Sequence, residues 1–528
     1  MKFIDKYLAR KGFVHKNEMN ERIKKLKRSY AAAASNRLLA DWTTMNTSAD
    51  QDIRYSLRSL RARARDLVQN DPYANNFMRM IQMNIVGPDG FILRNKSGEW
   101  KDGKFVLDKN ANILIQNAFW DWSQPQNCTI NGNMSFRVAQ NIIITTIARD
   151  GEIFIHKIKN KNINKYGFAI QLIEPDHVDE TYSAQLENGN SIIMGVEIDK
   201  YRRPLAYYIK RSNPYRELYS ATTMFAGDHE RIEAESVYHL FVKERVNQTR
   251  GVPWIAPSAI RMKMLSGFEE ASLVNARAAA CKTGVLTPKE NANPEFTGDD
   301  VDANNNIIQS IEPGETFVTP FGYDFSSYDP KYPSEQHEAF AKIILRGIAS
   351  GFGVSYNAMA NDYESVNYSS ARSSLLYERD QWKMLQSWLT ESFLNDLFRD
   401  WLDMSIITGA VNLPYSKFDK FNQPYFLPRR WDWVDPEKDA NANILAYKNG
   451  FKTLEQILAE RGMDLEETLE QLRYEKELIK KYGLTLGDEP KEKSNPKSDE
   501  SEEKSDSEIE NEYSLSEILE PINGNGRQ

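Results

Sequence analysis

The sequence predicts an α+β chain in which a helical beginning leads into a run of strands, and a helical second half is interrupted by one small β-rich excursion. Three observations carry that prediction. EIFIHKIK, FAIQLI, SIIMGVEID, PLAYYIKR and SVYHLFV alternate apolar and polar residues at the period of a strand, crowded between Glu152 and Val242. Residues 250–403 read as helix, turn-rich segment, helix, loop and long helix, without a flexible linker. Three further helix starts follow, at Asp435-Pro436, at Thr453 with Gln456 and at Asp464 with Glu467.

Taken in order, residues 1–46 are basic and weakly patterned, a solvated arm with RIKKLKRSYAAAASNRL in its middle. Asp50 is placed to cap a helix whose apolar face is Ile53, Leu57, Leu60, Ala64 and Leu67. Its other face carries Arg58, Arg61, Arg63 and Arg65, either a phosphate-contacting surface or a basic solvated one. Asp71-Pro72 reads as cap and first helical residue, with Gly87 ending that helix. Helices near Asn112 and from Ser135 to Arg149 precede the strands, and Asp150-Gly151 makes the turn into the first of them.

The second half opens with a helix expected at Pro257, since proline is tolerated only in a helix's first turn. Within it Met262, Met264, Leu265, Phe268 and Leu273 read as subunit-packing residues rather than a ligand site. IIQSI and ETFVTPFGY, punctuated by Pro313-Gly314, Pro320 and Gly322, supply the β-rich excursion. A helix over 334–353 follows, and Glu335, Glu338, Lys342 and Arg346 share one face of it, either toward an anion or as a solvated face with a Glu338–Lys342 pair. An acidic, asparagine-rich loop then leads into a long helix over about 371–403, whose core face is Leu375, Trp382, Leu385, Leu389, Phe393 and Leu397.

At 528 residues the chain has room for about three average domains. No apolar run approaches the roughly 20 residues of a membrane helix, and the start, MKFIDKYLARKGFVHKNE, lacks the apolar centre of a secretory signal. A soluble cytoplasmic product is expected, with no membrane partner. Cys128 and Cys281 lack the spacing of a zinc site or a disulfide framework and read as buried thiols. The net charge of −8 lies in the tail: from Asp488 onward 13 acidic residues face 5 basic ones, and the rest balances at 62 of each. That tail is too polar to offset the entropy of ordering. A neutral body lacks the clustered Lys and Arg of a protein that grips nucleic acid by charge.

Asp150, Glu152, Glu174, Asp176 and Asp179, with His156, His177 and His239, form the one cluster able to suggest magnesium-dependent phosphodiester chemistry. Asp150-Gly151 suits a turn instead, and no metal-ligand spacing accompanies the cluster. No Gly-x-x-x-x-Gly-Lys-Ser/Thr occurs, so a nucleotide-driven motor is not expected, nor is any cofactor.

Several strings together resemble the lambda-type family of tailed-phage portal proteins. They are RARARDLVQNDPYANNFMRMIQMNIVG (61–87), ARDGEIFIHKI (148–158), QLIEPDHVD (171–179), RIEAESVYHLF (231–241), RGVPW (250–254), GFGVSYNAMANDYESVNYSSAR (351–372) and WVDPEKDANANILAYKNG (433–450). The resemblance spans roughly 48–484. It implies a portal-protein fold with a basic N-terminal arm over 1–47, a mixed α/β wing over 48–250 and a first stem helix over 251–284. A small β-rich clip over 285–333, a second stem helix over 334–353 and a tunnel loop over 354–370 come next. The long wing helix and wing return over 371–434, a helical crown over 435–484 and a disordered acidic tail over 485–528 complete it.

By the same resemblance the subunits form a ring, typically a dodecamer, at one vertex of the virion capsid, assembled in the host bacterial cytoplasm. Double-stranded DNA passes through it in packaging and ejection. Its partners are a terminase ATPase, head-completion or adaptor proteins, and capsid and scaffold proteins; no catalysis is expected of the chain itself. Helices about 8–10 Å apart, twelve to a circle, would leave an opening of roughly 25 Å after one helix width of about 10 Å is subtracted, enough for a duplex. The channel and tunnel-loop candidates are Lys342, Arg346, Asn357, Asn361, Asp362, Tyr363, Glu364, Asn367 and Tyr368, and the candidate basic contacts are Arg58, Arg61, Arg63 and Arg65. Two rival readings remain from the residues alone: a metal-dependent DNA-processing enzyme using Glu152 and Asp176, and a nucleic-acid-binding module carried by residues 22–65.

Overall fold

The computed structural model describes residues 44–210, 229–280, 284–289, 300–301, 307–308, 322–327, 336–364, 366–431, 436–461, 463 and 465–483. The expectations for the basic arm, most of the clip and the acidic tail therefore lie outside the described residues. The chain divides into two compact units, Met1–Lys448 and Asn449–Gln528.

Helix α1 (Ala49–Arg54) is capped by Ser48, not by Asp50, because Ser48 and Gln51 close a reciprocal capping box. Asp50 is buried inside the helix, where its carboxylate accepts from Thr249 N and Oγ1, both at 2.9 Å, and pairs with Arg202. Helix α2 (Leu57–Asn70) turns Leu57, Ala64 and Leu67 inward. The Asp71 carboxylate accepts from Tyr73 N and Ala74 N, each at 2.9 Å, and so starts α3 (Pro72–Ile81) as the cap chemistry predicts. Helix α3 continues through a π-turn, Gln82–Val86, and stops at Gly87 with φ +74°.

Strand β1 (Ile92–Asn95) and the hairpin β2–β3 (Gly98–Lys101, Lys104–Leu107) lead to α4 (Lys109–Trp122) and α5 (Phe136–Asp150). These helices pack on a later one around an aromatic core of Phe119, Trp122, Phe136, Phe393, Phe398 and Trp401. Trp122 Nε1 donates to Phe168 O at 2.9 Å, so its one polar atom is satisfied inside.

The strands form two antiparallel sheets. β4 (Ile153–Lys159) is central, between β5 (Phe168–Ile173) and β11 (Val237–Leu240). The other sheet meanders through β6 (Ala184–Gln185), β7 (Ser191–Ile193), β8 (Val196–Ile198), β9 (Pro204–Lys210) and β10 (His229–Glu233). The segment expected as one strand, SIIMGVEID, is a tight hairpin, because Met194 and Gly195 both take positive φ, 49° and 79°. Phe154, Val178, Val196, Tyr207 and Val237 form a second core.

Helix α6 (Ala259–Ala280) begins two residues beyond Pro257, since turn bonds from Ala256 N to Pro253 O and from Ser258 N to Ile255 O hold residues 253–258 in turns. β12 (Gly284–Pro288) pairs with β15 (Tyr323–Ser327), and β13 (Asp300–Val301) with β14 (Ile307–Ile308). Then come α7 (Gln336–Phe352), the short α8 (Tyr356–Ala360) and α9 (Tyr368–Leu389). A second π-turn, Thr390–Leu394, joins α9 to α10 (Asn395–Ile407). The long helix starts three residues before the expected 371, because the Asn367 side chain accepts from Ser370 N at 2.8 Å.

Gln386 on α9 ties the first π-turn to the segment at Arg429. Its Nε2 donates to Asn84 O, Ile85 O and Arg429 O at 3.0, 3.3 and 3.0 Å, satisfying carbonyls at the first π-turn. β16 (Pro424–Leu427) then pairs with β1, and α11 (Pro436–Lys448) ends the first unit. In the second unit α12 (Leu454–Glu460) has the predicted Thr453–Gln456 capping box, and α13 (Leu465–Tyr482) follows.

Candidate functional site

Lys342 and Arg346 lie one turn apart on α7, and the residues after α7 fold back against them. Ser355 caps α8 from its N-terminus, and Asn361, with φ +54°, ends it in the left-handed region that asparagine tolerates. Asn76 on α3 donates to Ala358 O and Met359 O at 3.1 and 2.8 Å, fixing α8 in place. The turn delivers Asp362 to Lys342 Nζ at 3.4 Å, while Glu338 takes the other side of the same ammonium at 2.6 Å.

Asp362 also accepts from Tyr356 OH at 2.6 Å and from Glu364 N at 3.3 Å. The Arg346 guanidinium lies over the Tyr356 ring at 5.4 Å. The Tyr356 hydrogen bond, with Lys342 beside it, holds the Asp362 carboxyl below its ordinary value. Burial and the Asp362 charge push the Tyr356 hydroxyl up to about 12. Glu338 first, then Asp362, raise the Lys342 ammonium. Asn361, Tyr363, Glu364 and Asn367 are exposed, Asn357 is half-buried, and Tyr368 opens α9. Glu335 lies outside the described residues.

The four arginines expected on one surface of α2 divide. Arg58 and Arg63 are exposed. Arg61 is buried at 1% exposure, its guanidinium on the Glu152 carboxylate and its Nε donating to Asp150 O at 3.0 Å. Arg65 pairs with Asp150 at 2.8 Å and with Asp176. Neither is a free phosphate contact, because carboxylates that the sequence places 85–111 residues away take up both.

Glu152 sits at the centre of this cluster, wholly buried. Arg250 Nε donates to it at 2.7 Å, His239 Nε2 at 2.7 Å and Gly251 N at 2.9 Å. Burial alone would push its carboxyl up, but the Arg250 and Arg61 charges outweigh burial and hold it well below the usual carboxylate range. Burial lowers the His239 imidazole, which therefore donates to Glu152 as the neutral Nε2–H form. The carboxylates considered for magnesium thus carry guanidinium donors where a divalent ion would have to sit. Asp179 pairs with His229 at 3.0 Å instead, and Glu174 is exposed. Among the described residues no group of His, Cys, Asp and Glu is arranged to hold a metal. Cys128 is buried, its thiol pushed up to about 12 by burial and donating to Met134 O at 3.0 Å. Cys281 lies outside the described residues.

The cluster positions the start of α6. Arg250 reaches Val178 O and Pro175 O at 3.3–3.4 Å, and Gly251 approaches Gly151 so closely that a Cβ would lie 2.1 Å from Gly151 O. Trp254 N then donates to Ala148 O at 2.9 Å. Sequence reasoning missed Arg250 as an anchor, although RGVPW held the signal: a charged residue before a glycine and a proline. Further on, Ser258 Oγ donates to Ile348 O at 3.1 Å, joining α6 to α7.

Helices α6 and α7 each keep a second apolar face outside the core. On α6, Met262 and Leu265 are buried and Phe268 stacks on His337, while Ile260, Met264, Leu273 and Val274 are 56–76% exposed. Gly267 in that outer stripe has open space where a side chain would be. Phe340 and Ile343 are exposed on α7. On α9 the inward face begins at Trp382, and Leu375 lies outside it at 39% exposure beside the exposed Leu376 and Tyr377. No described helix is long and apolar enough to cross a membrane.

The model of the phage portal protein, lambda family, matches residues 35–386. The chain is 33% identical over 463 residues to the probable portal protein of Halomonas phage phiHAP-1, covering 87% of this chain and 88% of that protein. It is 21% identical over 477 residues to portal protein B of Escherichia phage lambda, covering 82% and 86%. Among solved structures, the match to a chain from the neck of a native gene transfer agent particle covers 80% of this chain and 97% of that one, with 12% identity and a TM-score of 0.44.

Proposed function

Because this chain belongs to the lambda family of phage portal proteins, we propose that its copies close into a ring at one capsid vertex and that double-stranded DNA enters and leaves through the opening. The observation that supports this beyond family membership is the second apolar face on the helices α6 and α7. A cyclic ring needs two different surfaces per subunit that complement each other, since each copy meets one neighbour with one side and the next with the other. The outer stripe Ile260, Met264, Gly267, Val274 and the pair Phe340, Ile343 on the adjoining helix supply candidates for both. Removing such residues from water contributes about 25 cal/mol per Å² of apolar area.

The chain's part is structural: it forms the conduit, and the energy for moving DNA comes from a terminase ATPase docked at the β12–β15 end, residues 284–327. Head-completion proteins would take that place later, and capsid and scaffold proteins would hold the outer wing in the virion. A nearly neutral body suits a conduit, because tight phosphate binding would arrest the cargo. The test is the mass and symmetry of the purified chain, by light scattering and negative-stain imaging, with and without capsid protein. Rings with a central hole are expected. A chain that remains monomeric in both conditions would overturn the reading.

A further inference from the structure

Asp362 occupies what is otherwise an anion seat. Its carboxylate accepts from Tyr356 OH, from Glu364 N and from the Lys342 ammonium, with Arg346 one turn further along and lying against the Tyr356 ring. A neutral hydroxyl, a backbone amide and an ammonium on one acceptor group, with a guanidinium over the ring that carries the hydroxyl, are donors that bind a phosphodiester oxygen as readily as a carboxylate. Two features mark the seat as exchangeable. Lys342 already carries a second carboxylate, Glu338, so it is not left bare when Asp362 departs. Asp362 also belongs to a turn whose neighbours Asn361, Tyr363 and Glu364 are exposed, so it can leave without unpacking a core.

We infer that this seat takes a backbone phosphate of passing DNA in exchange for Asp362, so that the protein's own carboxylate competes with the cargo and the turn at residues 361–364 is released while phosphate is bound. This rests on the conduit reading and deepens it. Each phosphate contact replaces an existing ion pair, which keeps the net gain per contact near zero and lets the duplex slide. Arg346 has no carboxylate partner among the described residues and supplies the second charge that a phosphate meets.

The experiment uses the full chain with two readouts. Hydrogen exchange of the peptide spanning 356–364 reports the turn, and fluorescence anisotropy of a short labelled duplex reports binding at several salt concentrations. In Asp362→Asn the peptide should exchange faster, and the duplex should bind about two- to fivefold tighter, the equivalent of one surface ion pair removed as competitor. Duplex added to the unaltered chain should accelerate exchange of the same peptide. Lys342→Met should accelerate exchange and weaken binding.

Glu364→Gln, which removes an equal charge next to the seat, should change binding by less than Asp362→Asn. An equal gain from both variants would reduce the effect to bulk charge and overturn the seat. Unchanged exchange in Asp362→Asn would overturn the latch, and unchanged exchange on adding duplex would overturn the swap. A failure to form rings would count against the conduit alone, since both readouts report on the single chain.

Discussion

Replacing Glu152 by Gln should be among the most damaging single-atom changes in the first unit. The side chain keeps its shape but loses the only charge among the described residues that lies within 3 Å of both Arg61 and Arg250, which are 1% and 0% exposed. The next carboxylate, Asp176, is 3.8 Å from Arg61. Breaking a buried pair from one side costs about 3–5 kcal/mol, because the partner charge stays buried and uncompensated. Here two partners stay, so the upper end applies. The unit concerned is Met1–Lys448, and an unfolding entropy of roughly 2.1 cal/mol/K per residue makes 1 kcal/mol worth about 1 °C at this size. A Tm lowered by about 4–5 °C in calorimetry is therefore expected. The double variant Arg61→Met, Glu152→Gln should recover part of the loss, since one buried charge leaves with the other; a coupling of about 0.5–3 kcal/mol is the usual range for contacting residues. A shift under 1 °C for Glu152→Gln, or strict additivity in the pair, would refute this account of the cluster.

Three other outcomes are expected. Gly151→Ala places a Cβ 2.6 Å from the Val252 carbonyl carbon at φ +93°; a cost of about 1–2 kcal/mol for the left-handed backbone adds to the clash, and thermal unfolding should show a loss larger than for Glu152→Gln at the same joint. Met264→Lys, at a position 71% exposed, should leave the stability of the subunit within about 0.5 kcal/mol of the parent while shifting the mass from ring to single chain in light scattering. Acid should weaken the Arg61–Glu152–His239 joint. Both Glu152 and His239 have folded values below their ordinary ones, so the stability they contribute is full above pH about 6.5 and is lost as pH falls, first through His239 and then through Glu152. A Tm that holds flat from pH 7 to pH 4 would contradict that order.

Cap chemistry was legible because it is local. Asp71-Pro72, Gly87 and Thr453 with Gln456 each act within four residues, and the structure places each where the sequence does. The error at Asp50 came from two cap-type residues two positions apart. Ser48 won because Gln51 stands three residues after it, which frees Asp50 for Thr249. Arg61 reads with Arg58 and Arg63 as one basic surface, although its spacing of four from Leu57 and three from Ala64 puts it on the buried face; its partner Glu152 stands 91 residues away. Nothing in a window of one helix reports such a partner. Lys342 with Glu338 was legible at its spacing of four, whereas Asp362 reached Lys342 only through the left-handed turn at Asn361. The hairpin within residues 191–198 was hidden because methionine is not a turn former, yet Met194 takes a positive φ beside Gly195, where a Cβ would meet Asp179 O at 2.8 Å.

The π-turn between α9 and α10 marks a place where the rod holds more chain than a plain helix needs. A π-turn is what a helix looks like after absorbing one surplus residue, with the turns on either side still in register. Deleting any one of Thr390–Leu394 would let the rod close into plain α-helix and leave Leu397, Phe398, Trp401 and Leu402, now wholly buried, facing inward. Deleting a residue from the rod ahead of that turn would rotate everything beyond it by about 100° and swing those four toward solvent together. Related sequences should therefore lose a residue within this rod only at the π-turn, and a library of single-residue deletions scanned across 368–407 should show its shallowest loss of folded product between 390 and 394.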